Sequence, residues 1–370
     1  LKEKGKGGLV PNYDKLKKLW GLPSYGIVLA LAGIAVFGIP KISTEFNLLS
    51  LYKSYTEVQR GFELSMQVNE GSVPLFLYIE HTENPLQPTQ AADFTELKDA
   101  LMQSGHVAKI IDAYTLISFL YGEMRGIEPQ YPTEINQVST IYGIVSGRAD
   151  NPLKHFIDPD TLRSRMIIFP ADLQNNTLDS IQTITEKFAQ NHDRYSISPT
   201  GAQYLFRELN QSMIIGQTTS ILLAFIIIFV LLLLSLRDLR ASFIALLPIA
   251  ITVITLYGAM GLTGLSLNLI TTTIFGITIG VGIDYAIHFT FIWKSFMKKG
   301  SSSEEAVKNA INYTARPIVT NGFGISIGLS ALLFSPLLVH LYVAEMMWIS
   351  MMVSMMLSLT FLPTLLRKIR

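Results

Sequence analysis

The residues with chemical potential are concentrated in one apolar stretch. Over Gly276–Phe289, GITIGVGIDYAIHF, Asp284 is the only acidic residue; Tyr285 follows it and His288 lies four residues on. At 1.5 Å rise per residue, Asp284 sits roughly 14 Å from the end of the run at Trp293, close to the middle of a helix long enough to cross a bilayer. Ionising a carboxyl there is expensive, since insertion scales put aspartate at a helix centre at about +2.5 to +3.5 kcal/mol. A carboxyl that is costly to ionise but still able to exchange a proton is what a proton carrier needs. His288, one turn toward the end of the helix on the same face, could relay protons or act as a structural donor. The competing reading of Asp284 is polar glue that hydrogen-bonds neighbouring helices.

The surroundings favour a proton-relay site. Asn268, Thr271, Thr272, Thr273 and Thr278 make this run unusually polar, so the helix is expected to turn inward in a bundle. Gly276, Gly280 and Gly282 would permit close approach of a packed helix. In the next apolar stretch, ARPIVTNGFGISIG, Arg316 is expected to snorkel to the cytoplasmic interface. Asn321, over a turn deeper, is a candidate for a hydrogen bond to the carboxyl site or for an interhelical packing bond. Glu345 is read as interfacial rather than as a second protonatable site.

Other chemistries find little support. HFIDPD places His155, Asp158 and Asp160 within six residues, but the spacing matches no metal motif of known geometry, and no metal or other cofactor is expected. There is no GxSxG elbow, P-loop or HExxH, which speaks against a hydrolase or an ATP-driven pump. A net charge of +1 and the lack of a basic stripe with interleaved aromatics argue against nucleic acid as a partner. With no cysteines, disulfides and thiolate metal sites are excluded.

The elements that must position these residues follow from composition. The 370 residues are 49% hydrophobic and 15% charged, against roughly 25% charged in an ordinary soluble domain. Six runs approach the roughly 20 apolar residues a spanning helix needs: Tyr25–Ile39, Met213–Leu236, Ala241–Leu262, Leu267–Trp293, Pro317–Phe334 and Leu341–Leu366. The predicted fold class is an α-helical polytopic bundle of six transmembrane helices with an inserted extracytoplasmic α+β domain between the first and second. The predicted organisation is a linker over 1–23, a first span over 24–40, the inserted domain over 41–212, five spans over 213–366 and a tail over 367–370. Lys2, Lys4, Lys6, Lys15, Lys17 and Lys18 before the first span, Arg237 and Arg240, Lys294, Lys298 and Lys299, and Arg367, Lys368 and Arg370 at the end all fall on one side when six spans alternate. That side is read as the cytoplasm of a multi-pass cell (inner) membrane protein, with both termini inside.

Within the inserted domain, Pro74–Glu80, Val107–Ile111, Arg165–Phe169 and Tyr195–Pro199 read as strands. Phe94–Ser104 and Leu178–Asn191 read as helices, giving one or two small α+β modules. Tyr121–Pro159 is expected to be a loop-rich insertion with some helix. Ser301–Ser303 before Glu304 and Glu305 has capping-box spacing, predicting a short helix near 302–315 along the cytoplasmic face, ending before Pro317, or a solvated connector packed on the bundle.

Four segments carry a family resemblance: LLPIAITVITLYGAMGLTGLSLNLIT (Leu246–Thr271), GVGIDYAIHF (Gly280–Phe289), ARPIVTNGFGISIGLSALLFS (Ala315–Ser335) and SLTFLPTLL (Ser358–Leu366). With one span, a large domain and five spans, the chain resembles one half of a resistance-nodulation-division (RND) transporter of the MMPL and hydrophobe-exporter branch, which includes Patched-like proteins. The resemblance implies a proton-motive-force-driven exporter of a lipid or other amphiphile, with Asp284 and Tyr285 as the relay pair. It also implies as partners a second half or a second copy bringing the facing pair, the substrate, protons, and an extracytoplasmic protein. The linker-like KEKGKGG start favours a C-terminal half. The alternative implied by Patched-like relatives is a lipid- or sterol-sensing receptor or scaffold without turnover; an accessory to protein secretion fits the Gly-x-Gly-x-Asp-Tyr element less well. Sodium stays open as the coupling ion.

Overall fold

The chain begins with a short helix α1 (Tyr13–Lys17) and the apolar helix α2 (Leu22–Gly38), prolonged by a 3-10 turn over Ile39–Lys41. In the computed structural model the described residues are 13–44, 51–68, 70–147 and 151–369, without the side chains of residues 269, 270 and 278. Next come α3 (Glu57–Val68), β1 (Leu75–His81), α4 (Pro88–Gln103), β2 (Val107–Ile111), α5 (Ala113–Arg125) and α6 (Ile135–Ser146). They are followed by β3 (Ile157–Asp158), β4 (Arg163–Pro170), α7 (Asn175–Asn191) and β5 (Tyr195–Thr200). The remainder is helical: α8 (Ala202–Leu236), α9 (Leu239–Thr263), α10 (Leu269–Lys298), α11 (Ser303–Leu329) and α12 (Leu338–Leu366). Contacts divide the chain into two compact units, one running over Ser54–Glu208 and the other containing the helices before and after it.

Among the described residues six helical segments, formed by α2 and α8 to α12, are long and apolar enough to cross a membrane. Lipid offers no partners to backbone amides and carbonyls, so an apolar chain of this length closes its hydrogen bonds internally as helix. α9, α10, α11 and α12 pack mutually around a core that includes Ile249, Val253, Phe275, Phe289, Trp293 and Met351. α2 leans on α9 and α12. Its contact with α9 is a backbone crossing made by Gly38, Gly258 and Gly261: a β-carbon on Gly258 would meet the Ile34 carbonyl oxygen at 2.5 Å. Small residues are what allow such an approach in a membrane.

The second unit is built on one antiparallel sheet in the order β2-β4-β1-β5, with β3 pairing on β4. β1-α4-β2 and β4-α7-β5 interleave, the split β-α-β topology, so the two strand-helix-strand repeats make a single module. Leu75, Leu77 and Ile79 alternate on β1 and are buried, with Met166 and Ile168 of β4, under Phe94, Leu97 and Leu101 of α4 and Leu178 and Ile181 of α7. Period-two alternation puts every second strand residue on the helix-covered face.

One expectation is refined and one needs correction. The segment Tyr121–Pro159, expected to be loop-rich with some helix, is about half helical: the end of α5, all of α6 and a 3-10 turn over Leu153–His155. α5 and α6 enclose a second core of Ile117, Val138, Ile141, Val145, Leu153 and Ile157. Their apolar residues recur at helical spacing, so helix forms between the proline and glycine breaks. The short helix near 302–315 does not stop before Pro317 but continues as α11 to Leu329. Ser302 is its N-cap, accepting from the Glu305 amide at 3.3 Å, as the capping-box spacing predicts. The proline removes one backbone bond, yet the buried stripe runs in register across it: Ala306, Val307, Ala310, Ile311, Thr314, Ala315, Ile318, Val319 and Gly322. Continuous burial on one face outweighs the one missing bond.

Candidate functional site

α10 is held at both ends. At its start the Asn268 side-chain oxygen accepts from the Thr271 amide at 3.1 Å, while the Asn268 amide donates to Thr271 Oγ1 at 2.9 Å, a reciprocal cap. Near its other end Lys294 pairs with Asp238, which also caps α9 by accepting from the Ala241 amide at 3.1 Å. Partial burial pushes the Asp238 carboxyl up, but Lys294 and the helix amides together bring it below its ordinary range. Between these ends Phe275 stacks on Tyr257 with ring centroids 4.1 Å apart, and Phe289 and Trp293 are fully buried.

This clamping fixes which way each candidate points. Tyr285 is buried, 2% exposed, with its hydroxyl 3.5 Å from Met351 Sδ of α12. The space for that hydroxyl is made by Gly322 of α11, where a β-carbon would sit 3.5 Å from Tyr285 Oη and 3.1 Å from Met355 Sδ. One residue earlier, Asp284 is exposed, and so is His288 a turn further on. Both line a groove of about 370 Å³ between α10 and α11, together with Tyr285, Tyr313, Thr314, Pro317 and Asn321. A volume of this size holds several waters or a small polar group.

The expected inward turn of α10 is therefore only half right. Thr271, Thr272 and Tyr285 are buried, but Gly276, Gly280, Asp284 and His288, spaced by four, share an exposed face. α9, α11 and α12 occupy the other sides of α10, and no helix among the described residues covers this one. The expectation of helix-packing glycines is corrected in the same way. Gly282 packs, its carbonyl accepting from Ser354 Oγ at 3.0 Å and a β-carbon there meeting that oxygen at 3.1 Å. Gly276 and Gly280 have open space where a β-carbon would be, because they lie on the uncovered face.

The supporting residues separate likewise. Asn321 shares the groove with Asp284, and no hydrogen bond joins them among the described residues. Asn268 is not brought to the site: it caps the far end of α10, sixteen residues and roughly 24 Å from Asp284. Arg316 is exposed on α11 and does not line the groove. The Thr278 side chain lies outside the described residues. Glu345 is half-buried in the second turn of α12. Sequence reasoning missed Gly322, Tyr313 and Thr314; Gly322 stands in the quoted NGFG, but only packing reveals that it faces Tyr285.

In the other unit, His155 and Asp158 line a cleft beside Arg163 and Arg165, cations that would repel a metal ion. No group of three or more potential ligands gathers among the described residues. His81, 6% exposed, links Gln90 Oε1 at 2.5 Å and Ser164 Oγ at 2.6 Å. The order serine, histidine, amide mimics a nucleophile with its base, but these residues face the helix-covered side of the sheet, where they tie β1 to β4 and α4.

A curated relative and a family match both point to a membrane protein. A Methanocaldococcus jannaschii protein named only as a membrane protein is 28% identical over 166 residues, which are 45% of this chain and 43% of the relative. The likeness thus spans less than half the length of that relative. The sequence profile of the MMPL family matches residues 50–369, taking in the inserted unit and α8 to α12. On that match, the chain belongs to the MMPL family of the RND superfamily, a family of membrane transport proteins.

Proposed function

We propose that the chain is one half of a proton-driven exporter that moves a lipid or another amphiphile out of the membrane or cell. The observation that carries this reading is the position of Asp284: mid-span, beside buried Tyr285, and open with His288 onto the groove between α10 and α11, on a face of α10 that no helix among the described residues covers. A carboxyl facing lipid would be costly, so its natural cover is a polar surface from a second half or a second copy. Asp284 exchanges the proton, Tyr285 and His288 extend the path, and Asn321 supplies a polar wall. The basic residues flanking the spans support cytoplasmic termini in the inner membrane, with Ser54–Glu208 on the opposite side, where it can meet substrate and a partner protein.

The energetics suffice. A proton crossing 100 mV releases about 2.3 kcal/mol, enough for roughly a fifty-fold gradient of a neutral substrate at one-to-one coupling. The test is proton uptake by the purified assembly in liposomes under an imposed pH gradient, comparing wild type with Asp284→Asn. Loss of flux in a folded variant supports the mechanism; flux at the wild-type rate refutes it. Flux that needs sodium would retain the carboxyl and change the ion, and no flux in either protein would favour the lipid-sensing alternative.

A further inference from the structure

The inserted unit has a cleft of about 240 Å³ that the transport reading does not use, lined by Tyr78, Lys154, His155, Phe156, Arg163 and Arg165 among others. Its central feature is Arg165. The guanidinium lies over the Phe76 ring at 5.5 Å and the Phe156 ring at 6.0 Å, and the Arg165 amide donates to the Phe156 carbonyl at 2.7 Å. Arg165 Nε is buried, with no hydrogen-bond partner among the described residues, and no carboxylate there forms an ion pair with this arginine. A buried guanidinium donor without an acceptor is costly, and this one is aimed by two rings rather than by a counter-ion.

Of the acidic groups here, Asp158 itself lines the cleft and Glu80 lies beside it, and both are already engaged. Asp158 Oδ2 accepts from Thr161 Oγ1 at 2.7 Å, and its Oδ1 accepts from the Asp160 and Thr161 amides at 3.1 and 3.4 Å. Glu80 pairs with Arg163 at 3.4 Å, and Arg163 also lies over Tyr78. Lys154 and His155 are exposed at the rim. The cleft therefore sets Lys154, Arg163 and Arg165 against the carboxylate of Asp158, with Tyr78 and Phe156 as aromatic walls. Arginine presents a rigid fork that matches the oxygens of phosphate and carboxylate.

We propose that this cleft binds an anionic head group, a phosphate or a carboxylate, with Arg165 as the anchor, Lys154 as the rim charge, and the Phe76 and Phe156 rings orienting the guanidinium. At about 240 Å³ it is smaller than the roughly 300–1,000 Å³ of pockets that enclose a whole drug-sized ligand, so it suits a head group whose tail extends outside. Binding here does not require proton movement through Asp284, so the two readings fail separately.

The experiment titrates dodecyl phosphate, and in parallel inorganic phosphate, into the full chain in dodecyl maltoside micelles, with the heat of titration into empty micelles subtracted. Wild type should bind dodecyl phosphate, with Arg165→Gln at least tenfold weaker, Arg165→Lys intermediate and Lys154→Gln several-fold weaker. Lys187→Gln, on the exposed face of α7, should bind as wild type. Inorganic phosphate binding as tightly as dodecyl phosphate, and equally lost in Arg165→Gln, would assign the cleft to a free anion; binding of dodecyl phosphate alone would assign it to an amphiphile. Equal affinity of wild type and Arg165→Gln overturns the proposal. Should Arg165→Gln fail to fold, unchanged affinity in Lys154→Gln, whose side chain is exposed, overturns it.

Discussion

Lowering the pH should loosen the inserted unit through His81. Burial pushes the His81 imidazole down to about 4, against an opposing pull from its Gln90 acceptor. Gln90 Nε2 donates to the Asn84 carbonyl at 3.0 Å, which leaves Gln90 Oε1 to accept from His81 Nδ1–H, and His81 Nε2 then accepts from the Ser164 hydroxyl. The ring is thus satisfied as the neutral form. An unfolded histidine titrates near 6.5, so between pH 6.5 and 4 the unfolded chain binds the extra proton and stability falls with pH; above pH 6.5 it is constant. The whole effect is about 3 kcal/mol, of which about 2 kcal/mol is lost by pH 5. Hydrogen exchange of β1 and β4 peptides in the full chain, corrected for intrinsic rates, reads it directly. Opening should be about thirtyfold more frequent at pH 5 than at pH 8. In His81→Gln this pH dependence should vanish while opening at pH 8 rises. Protection unchanged between pH 8 and 5 in wild type, or the same slope in His81→Gln, would refute the reasoning.

Two substitutions test the packing that sets the site. Gly258→Leu places a branched side chain where the Ile34 carbonyl lies 2.5 Å from a bare β-carbon, so α2 cannot dock on α9; loss of folded protein on size-exclusion chromatography is expected, and a monodisperse protein of wild-type thermal stability would contradict the crossing. Gly322→Leu drives into Met355 Sδ and the Tyr285 hydroxyl, with an overpacking cost of about 1–3 kcal/mol. A lowered melting temperature together with slowed proton flux is expected, whereas a stable variant with normal flux would show that Tyr285 tolerates displacement.

The sequence by itself determined the six apolar helices, because the need for about 20 lipid-compatible residues is a local property that composition reveals. It also determined the four long strands of the sheet, and the start of α11 at the Ser302 cap, since alternation and capping act over a few residues. The grouping of Asp284, Tyr285 and His288 was legible from spacing alone. Spacing names a face, however, and not the neighbour across it. Tertiary structure alone decided that Tyr285 turns inward to Met351 and Gly322 while Asp284 and His288 open onto the groove with Tyr313 and Asn321. It decided that Gly282 packs and Gly276 and Gly280 do not, that Asn268 caps a helix far from the carboxyl, and that α11 passes through Pro317 because its buried stripe continues. These outcomes depend on α9, α11 and α12, brought against α10 from distant parts of the chain, and such contacts leave no periodic trace in the residues that make them.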